Sequence, residues 1–165
     1  MNFVQQAGAV AVLIMLTLAL QCGGMAVLIL WGRVHIERDL SRLNAVGATL
    51  LLVRFASVMI GLHLLQTLLW AGFYRWKCLP SWESAFYFST ASYSTVGAND
   101  VILPPFWRSL GPTESVTGVL MCGLSVSFLF AIVTRLVERW ERIPAGLSKL
   151  PREEETWTPE HPGVR

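Results

Sequence analysis

Charge is what this sequence has least of. Charged residues make up 15% of its 165 positions, where a soluble domain carries about a quarter. The shortfall falls in three apolar blocks, and hydrophobic residues reach 53% with a mean hydropathy of +0.51. An integral membrane protein is the class that fits. A net charge of +2 is too small to suggest nucleic acid, and no basic run or recognition motif occurs, so no nucleic-acid partner is expected. Cysteine is scarce too. Cys22, Cys78 and Cys122 are odd in number and widely spaced, with no CxxC or CxxH among them, which excludes the common zinc and redox patterns. Cys22 and Cys122 read as small hydrophobes inside apolar blocks. Cys78 lies just outside one, and an intermolecular disulfide stays open there. His35, His63 and His161 fall in three different environments. With no nucleophile elbow, metal-ligand cluster or phosphate loop either, neither an enzyme nor a bound cofactor is expected.

The apolar blocks come next. Phe3 to Trp31 holds no charged residue and exceeds the roughly 20 residues of a spanning helix. A cleaved signal peptide fits it poorly, because there is no basic leader and the run is too long. Gln21, Gly23 and Gly24 interrupt it, and small residues suit close helix packing. Gly32 to Ala45 is polar and reads as a short amphipathic surface helix. Val46 to Tyr74 is the second block. Arg54 within it is placed at the interface, snorkelling to headgroups. His63, Gln66 and Thr67 are spaced by three and four, so they share one helix face and should point at protein. His63 is expected to hydrogen-bond a neighbouring helix, and Gln66 to hold helices together. A third block, about Ser115 to Leu136, follows a helix start at Gly111-Pro112-Thr113-Glu114, where Glu114 reads as a first-turn acid. Pro144 and Gly146 should end that helix. From Ser148 the polar, proline-rich tail with Glu153–Glu155 is expected to be disordered.

Basic residues set the orientation. The 32–45 stretch and the C-terminal region from Arg135 onward hold nine of them, the opposite side only Arg75, Lys77 and Arg108. The C-terminus is therefore expected in the cytoplasm and the N-terminus outside, in a multi-pass protein of the cell membrane.

Trp82 to Pro104 is too short and too polar for a further span. Ser81 is a good N-cap with Glu83 in the following turn, which predicts a short helix over Trp82–Tyr93. Ser94-Thr95-Val96-Gly97 and Ala98-Asn99-Asp100 then lead to an extended, proline-ended exit. Irregular backbone at membrane depth is tolerated where it is buried in protein or lines a water-filled path. The stretch thus reads as a loop dipping in from outside. The fold class is all-α: three transmembrane helices plus a re-entrant pore helix and loop. The domains are 1–31, an N-terminal helix; 32–45, a cytoplasmic linker; 46–139, the central unit; and 140–165, the tail.

Thr95-Val96-Gly97 before Asp100, preceded by Glu83-Ser84-Ala85-Phe86-Tyr87-Phe88-Ser89 and followed by Leu110-Gly111-Pro112 and Gly118-Val119-Leu120-Met121, resembles the pore domain of the potassium channel superfamily. These surroundings look like a bacterial branch whose members carry one extra N-terminal helix. The likeness covers roughly Leu43 to Arg139. The resemblance implies a homotetrameric cation channel in membrane lipid. It implies a filter at Thr95, Val96, Gly97, Ala98, Asn99 and Asp100, with potassium or another monovalent cation held by the oxygens of Thr95, Val96, Gly97 and Ala98. Four copies of such a loop supply backbone carbonyls in place of the hydration shell. Asp100 would attract cations at the outer mouth and receive a hydrogen bond from the pore helix. Gly118 and Gly123 would let the third helix bend or approach its neighbours, with Gly123 the hinge. Ser125 and Ser127 would face water, and Phe128, Leu129 and Ile132 would form a hydrophobic constriction. The family has Gly-Tyr-Gly where this chain has Gly97-Ala98-Asn99. Asn tolerates the left-handed backbone of the second glycine, but Ala98 cannot reproduce the tyrosine's packing behind the filter. A non-selective cation channel and a non-conducting membrane scaffold or regulator therefore stand as alternatives.

Overall fold

The computed structural model describes residues 3–39 and 45–147. Four α-helices account for most of them: α1 (Phe3–Asp39), α2 (Ala45–Lys77), α3 (Trp82–Tyr93) and α4 (Leu110–Leu147). A single 3-10 turn, Pro105–Trp107, precedes α4. The stretches Val4–Gly32, Val46–Lys77 and Pro105–Glu138 are each long and apolar enough to cross a membrane, so the protein is an all-α membrane protein. At about 1.5 Å per residue, helices of 33 to 38 residues exceed the roughly 30 Å hydrocarbon core.

Three boundaries differ from expectation. The polar stretch after Trp31 opens as a continuation of α1, which runs unbroken to Asp39. The helix α4 begins at Leu110, so Pro112 lies in its first turn, where the missing N–H has no intrahelical partner to lose, and Glu114 lies beyond that turn. It also continues through Pro144 and Gly146 to Leu147. The expected tail from Ser148 lies outside the described residues.

The short helix α3 packs between α2 and α4, and α1 lies against the same two helices. Two apolar clusters hold the bundle. The outer one gathers Leu13, Trp70, Tyr74, Phe88, Leu103, Trp107 and Leu110, with Ala98 and Val101 packed on it. Its rings meet edge to face: Tyr74 with Phe88 at 5.0 Å and Phe73 with Trp107 at 5.4 Å. The inner one is Leu28, Phe55 and Met59, with Trp31, Phe128, Leu129 and Ile132 against it. Arg54 is exposed, and its guanidinium lies 4.3 Å over the Trp31 ring. A cation stacked on a tryptophan at the end of the apolar block suits an interfacial arginine. Gly24 brings α1 against Leu62 of α2, close enough that a Cβ there would meet its side chain at 2.5 Å; Gly23 faces open space.

Candidate ion-conduction site

The local sequence builds α3 as anticipated. Ser81 adopts extended backbone (φ −126°, ψ 152°) and its side chain accepts from the Ser84 N–H at 3.1 Å. Glu83 sits in the first turn. At the other end the last carbonyls of α3 are taken up one after another. Ser94 N–H bonds Thr90 O at 3.0 Å, Thr95 N–H bonds Ser92 O at 3.0 Å, and Gly97 N–H reaches back to Ala91 O at 2.9 Å. The Ser115 hydroxyl of α4 also donates to Ser92 O, at 2.6 Å. This resembles the left-handed helix ending, in which the residues after the cap fold back onto the last-turn carbonyls.

The left-handed position of that ending is Thr95, with φ +65°. A β-branched residue there carries strain of about 1–3 kcal/mol. It persists because the bonds to Ser92 and Ala91 bracket it. Gly97 takes φ +79° without penalty. These are the only positive φ values among the described residues, so Asn99 does not adopt the left-handed conformation expected of it. The fold-back at Thr95 and Gly97 has already turned the chain.

Ser94, Thr95, Val96 and Gly97 are all exposed on a single chain, Val96 at 81%. Ala98 is half-buried against the outer cluster, and Asn99 and Asp100 are exposed. The Tyr87 hydroxyl of α3 donates to Asp100, which raises the tyrosine above its ordinary titration range. Tyr87 of α3 and Asp100 after it are thus brought together. Behind the segment lies an open cleft of about 560 Å³, lined among others by Phe88, Thr95, Ala98, Leu103, Arg108 and Pro112.

The neighbouring face of α3 is polar and buried. Glu114 of α4 is fully buried, with Tyr74 Oη 2.8 Å from one carboxyl oxygen and Ser89 Oγ 2.6 Å from the other. The Ser89 hydroxyl is also 2.9 Å from Thr67 O of α2. Glu114 was expected as a first-turn helix acid. The structure makes it the junction of α2, α3 and α4. Its partners lie 40 and 25 residues away, so no local pattern could have revealed it. His63 bonds α3 through Tyr93 and α4 through Ser125, and Gln66 bonds α1 through Gln21. Ser125 is therefore turned inward rather than toward water, whereas Ser127 is exposed and back-bonds to Gly123 O.

Along α4, Gly118 is a contact glycine: a Cβ there would collide with the Tyr93 carbonyl oxygen. Gly123 is exposed, with nothing near its missing Cβ. Phe128, Leu129 and Ile132 are half-buried on the inner cluster, with Phe128 6.3 Å from Phe55 of α2. They therefore meet α2 of their own chain, and the more exposed large apolar side chain beside them is Phe130, at 71%. No group of His, Cys, Asp and Glu among the described residues could hold a metal ion. Cys78 is half-buried, and burial pushes its thiol up to about 11.

Neither a curated protein nor a solved structure matches the chain. A family model does: Ion channel, over residues 49–135, from the first turns of α2 through Ser94–Asp100 and into α4. That stretch is more than half of the sequence and contains the two long helices, the short helix between them and the exposed turn at Thr95. The chain belongs to the ion channel family, and its matched region is a two-helix, potassium-channel-like pore domain.

Proposed function

We propose that four copies of this chain assemble around one axis and conduct monovalent cations of the potassium type past Thr95, Val96, Gly97 and Ala98, with Asn99 and Asp100 at the outer mouth. The observation that carries this reading is the exposure of Ser94–Gly97 on a single chain, directly after a short helix whose other face is buried in polar contacts. A loop that a monomer leaves open, at the C-terminal and partly negative end of a helix, suits a wall completed by other copies and occupied by cations. Asp100 adds negative charge at the entrance. Gly123 is the hinge of this reading, and Phe128 and Ile132 stiffen α4 against α2 on the cytoplasmic side of it. The N-terminus lies outside and the C-terminus in the cytoplasm.

A second reading, a cation pore with weak preference between potassium and sodium, is favoured by the cleft behind Ala98. Ala98 is one of the residues lining that open cleft of about 560 Å³. Purified protein in liposomes tests both, with potassium and sodium flux compared in one preparation. Potassium flux that exceeds sodium flux and falls in Thr95→Ala supports the first reading. Equal fluxes that also fall in Thr95→Ala support the second. No flux from the native chain, with flux restored by Ala98→Tyr plus Asn99→Gly, would mean a channel scaffold that does not conduct.

A further inference from the structure

Between the two apolar clusters, five polar side chains drawn from all four helices close a ring. Gln66 Nε2 donates to Gln21 Oε1 at 2.7 Å, and Gln21 Nε2 donates to Ser125 Oγ at 2.8 Å. Ser125 Oγ lies 3.0 Å from His63 Nε2, and His63 Nδ1 lies 2.8 Å from Tyr93 Oη. The Tyr93 hydroxyl donates to Gln66 Oε1 and closes the circuit. The hydrogens can be counted. Tyr93 has given its proton to Gln66, so it accepts from His63 Nδ1–H. The other imidazole nitrogen then carries no proton and accepts from the Ser125 hydroxyl, which in turn accepts from Gln21. Each link uses one hydrogen, all in one rotational sense, with a neutral His63. Gln21 and Gln66 are fully buried and Ser125 nearly so, and no buried side-chain polar atom among the described residues lacks a partner.

Tyr93 is the last residue of α3, two before the strained Thr95. The turn that Tyr93 anchors supplies the Ala91 and Ser92 carbonyls on which Thr95 and Gly97 hang. We propose that Gln21, His63, Gln66 and Ser125 are positioning residues for the filter, acting through the Tyr93 hydroxyl, and that α1 takes part in conduction through Gln21. The inference rests on the conducting reading above. It goes beyond that reading by giving the N-terminal helix, which lies outside the matched family region, a role at the filter. A ring that only glued helices together would change assembly when broken. A ring that sets the filter changes which ion passes.

Full-length protein in liposomes decides the matter. Gln21→Leu and Tyr93→Phe each remove one partner, and the two side chains do not bond each other. Each variant that assembles as wild type should shift the potassium-to-sodium flux ratio by about fivefold, the worth of one net hydrogen bond. The double variant should shift it no further, because the ring is already open. Unchanged ratios in assembled single variants, or effects that multiply in the double variant, overturn the inference while leaving the conducting reading intact. Should the variants not assemble, nitrogen NMR of His63 in the wild-type chain still decides. A neutral ring with its proton resident on Nδ1 is expected. An imidazolium, a proton resident on Nε2 or a tautomer mixture overturns the ring.

Discussion

Replacing Glu114 reaches furthest into the bundle, because one carboxyl group serves three helices. With Glu114 as a carboxylate, this junction has one hydrogen too few for every short contact to be a separate hydrogen bond. Ser89 has a single hydroxyl hydrogen but two acceptors in range, Glu114 at 2.6 Å and Thr67 O at 2.9 Å. The hydrogens suffice for the carboxylic acid: Glu114 donates to Ser89, Ser89 donates to Thr67 O, and Tyr74 donates to the remaining Glu114 oxygen. An amide keeps the donor to Ser89 and the acceptor for Tyr74, and adds one further N–H hydrogen. Glu114→Gln should therefore cost less than ~1 kcal/mol. Glu114→Leu leaves the Tyr74 hydroxyl buried without an acceptor, at about 1–3 kcal/mol; Ser89 adds less, because it keeps Thr67. Unfolding midpoints of the purified protein in detergent measure both. The expected order is wild type close to Gln and well above Leu. Tyr74→Phe should then cost almost nothing in the Leu background, since the hydroxyl it removes is already orphaned. If Gln destabilises as much as Leu, the group is ionised and its bonds are charge-assisted. If Leu costs nothing, the junction holds no helices together.

The two glycines of α4 should separate cleanly. Gly118→Ala drives a methyl into the Tyr93 carbonyl, so it should lower the unfolding midpoint by about 1–3 kcal/mol of stability; Gly123→Ala meets nothing and should leave the midpoint unchanged or slightly raised. Tyr87 titrates above the ordinary tyrosine range because Asp100 accepts its hydrogen bond. That contact is present below the usual tyrosine pKa and lost as pH rises through the raised one, and Asp100→Asn should bring the phenolate absorbance transition assigned to Tyr87 back down. Cys78, held up to about 11, should react slowly with a thiol reagent at neutral pH, with a rate that keeps climbing toward that value.

The helices were legible because their determinants are local or periodic. Ser81, Glu83 and the aromatic run gave α3 its observed ends, and the absence of charge from Phe3 to Trp31 marked the first span. The spacing of His63, Gln66 and Thr67 told which face of α2 meets protein. It could not tell what that face meets, because Gln21, Tyr93 and Ser125 are 27 to 62 residues away. Glu114 misled for the same reason: an acid near a helix start looks like a first-turn acid until Tyr74 and Ser89 are brought to it. Asn99 misled differently. Its backbone was judged by the family's glycine, while the fold-back that decides the turn lies earlier, at Thr95. The inward turn of Ser125 and the packing of Phe128 and Ile132 on α2 depend on how α4 is rotated. α4 carries small polar residues on more than one side, Ser125 buried and Ser127 exposed, so its sequence did not show which of them turns inward.

Lipid also explains why a sequence so poor in charge buries so many polar groups. Between helices in a bilayer, apolar contact gains little over contact with acyl chains, so small residues and hydrogen bonds must choose partners and rotations. Here they converge on α3. Ser89 and Tyr93, four residues apart on one face, tie it to α2, α4 and, through Gln66, α1. Gly118 presses on its last carbonyl. The side behind Ala98, lined by Phe88 and Ser92, is open. The proposed filter is therefore braced from within its own chain, through a face of α3 other than the one the family tyrosine would fill. Two independent supports imply additive effects. Ala98→Tyr has about 560 Å³ to enter and should sharpen potassium preference by the same factor whether or not the inner ring is intact. If Tyr93→Phe instead abolishes that gain, the two sides are not independent, and the cleft cannot be filled without the ring that faces it.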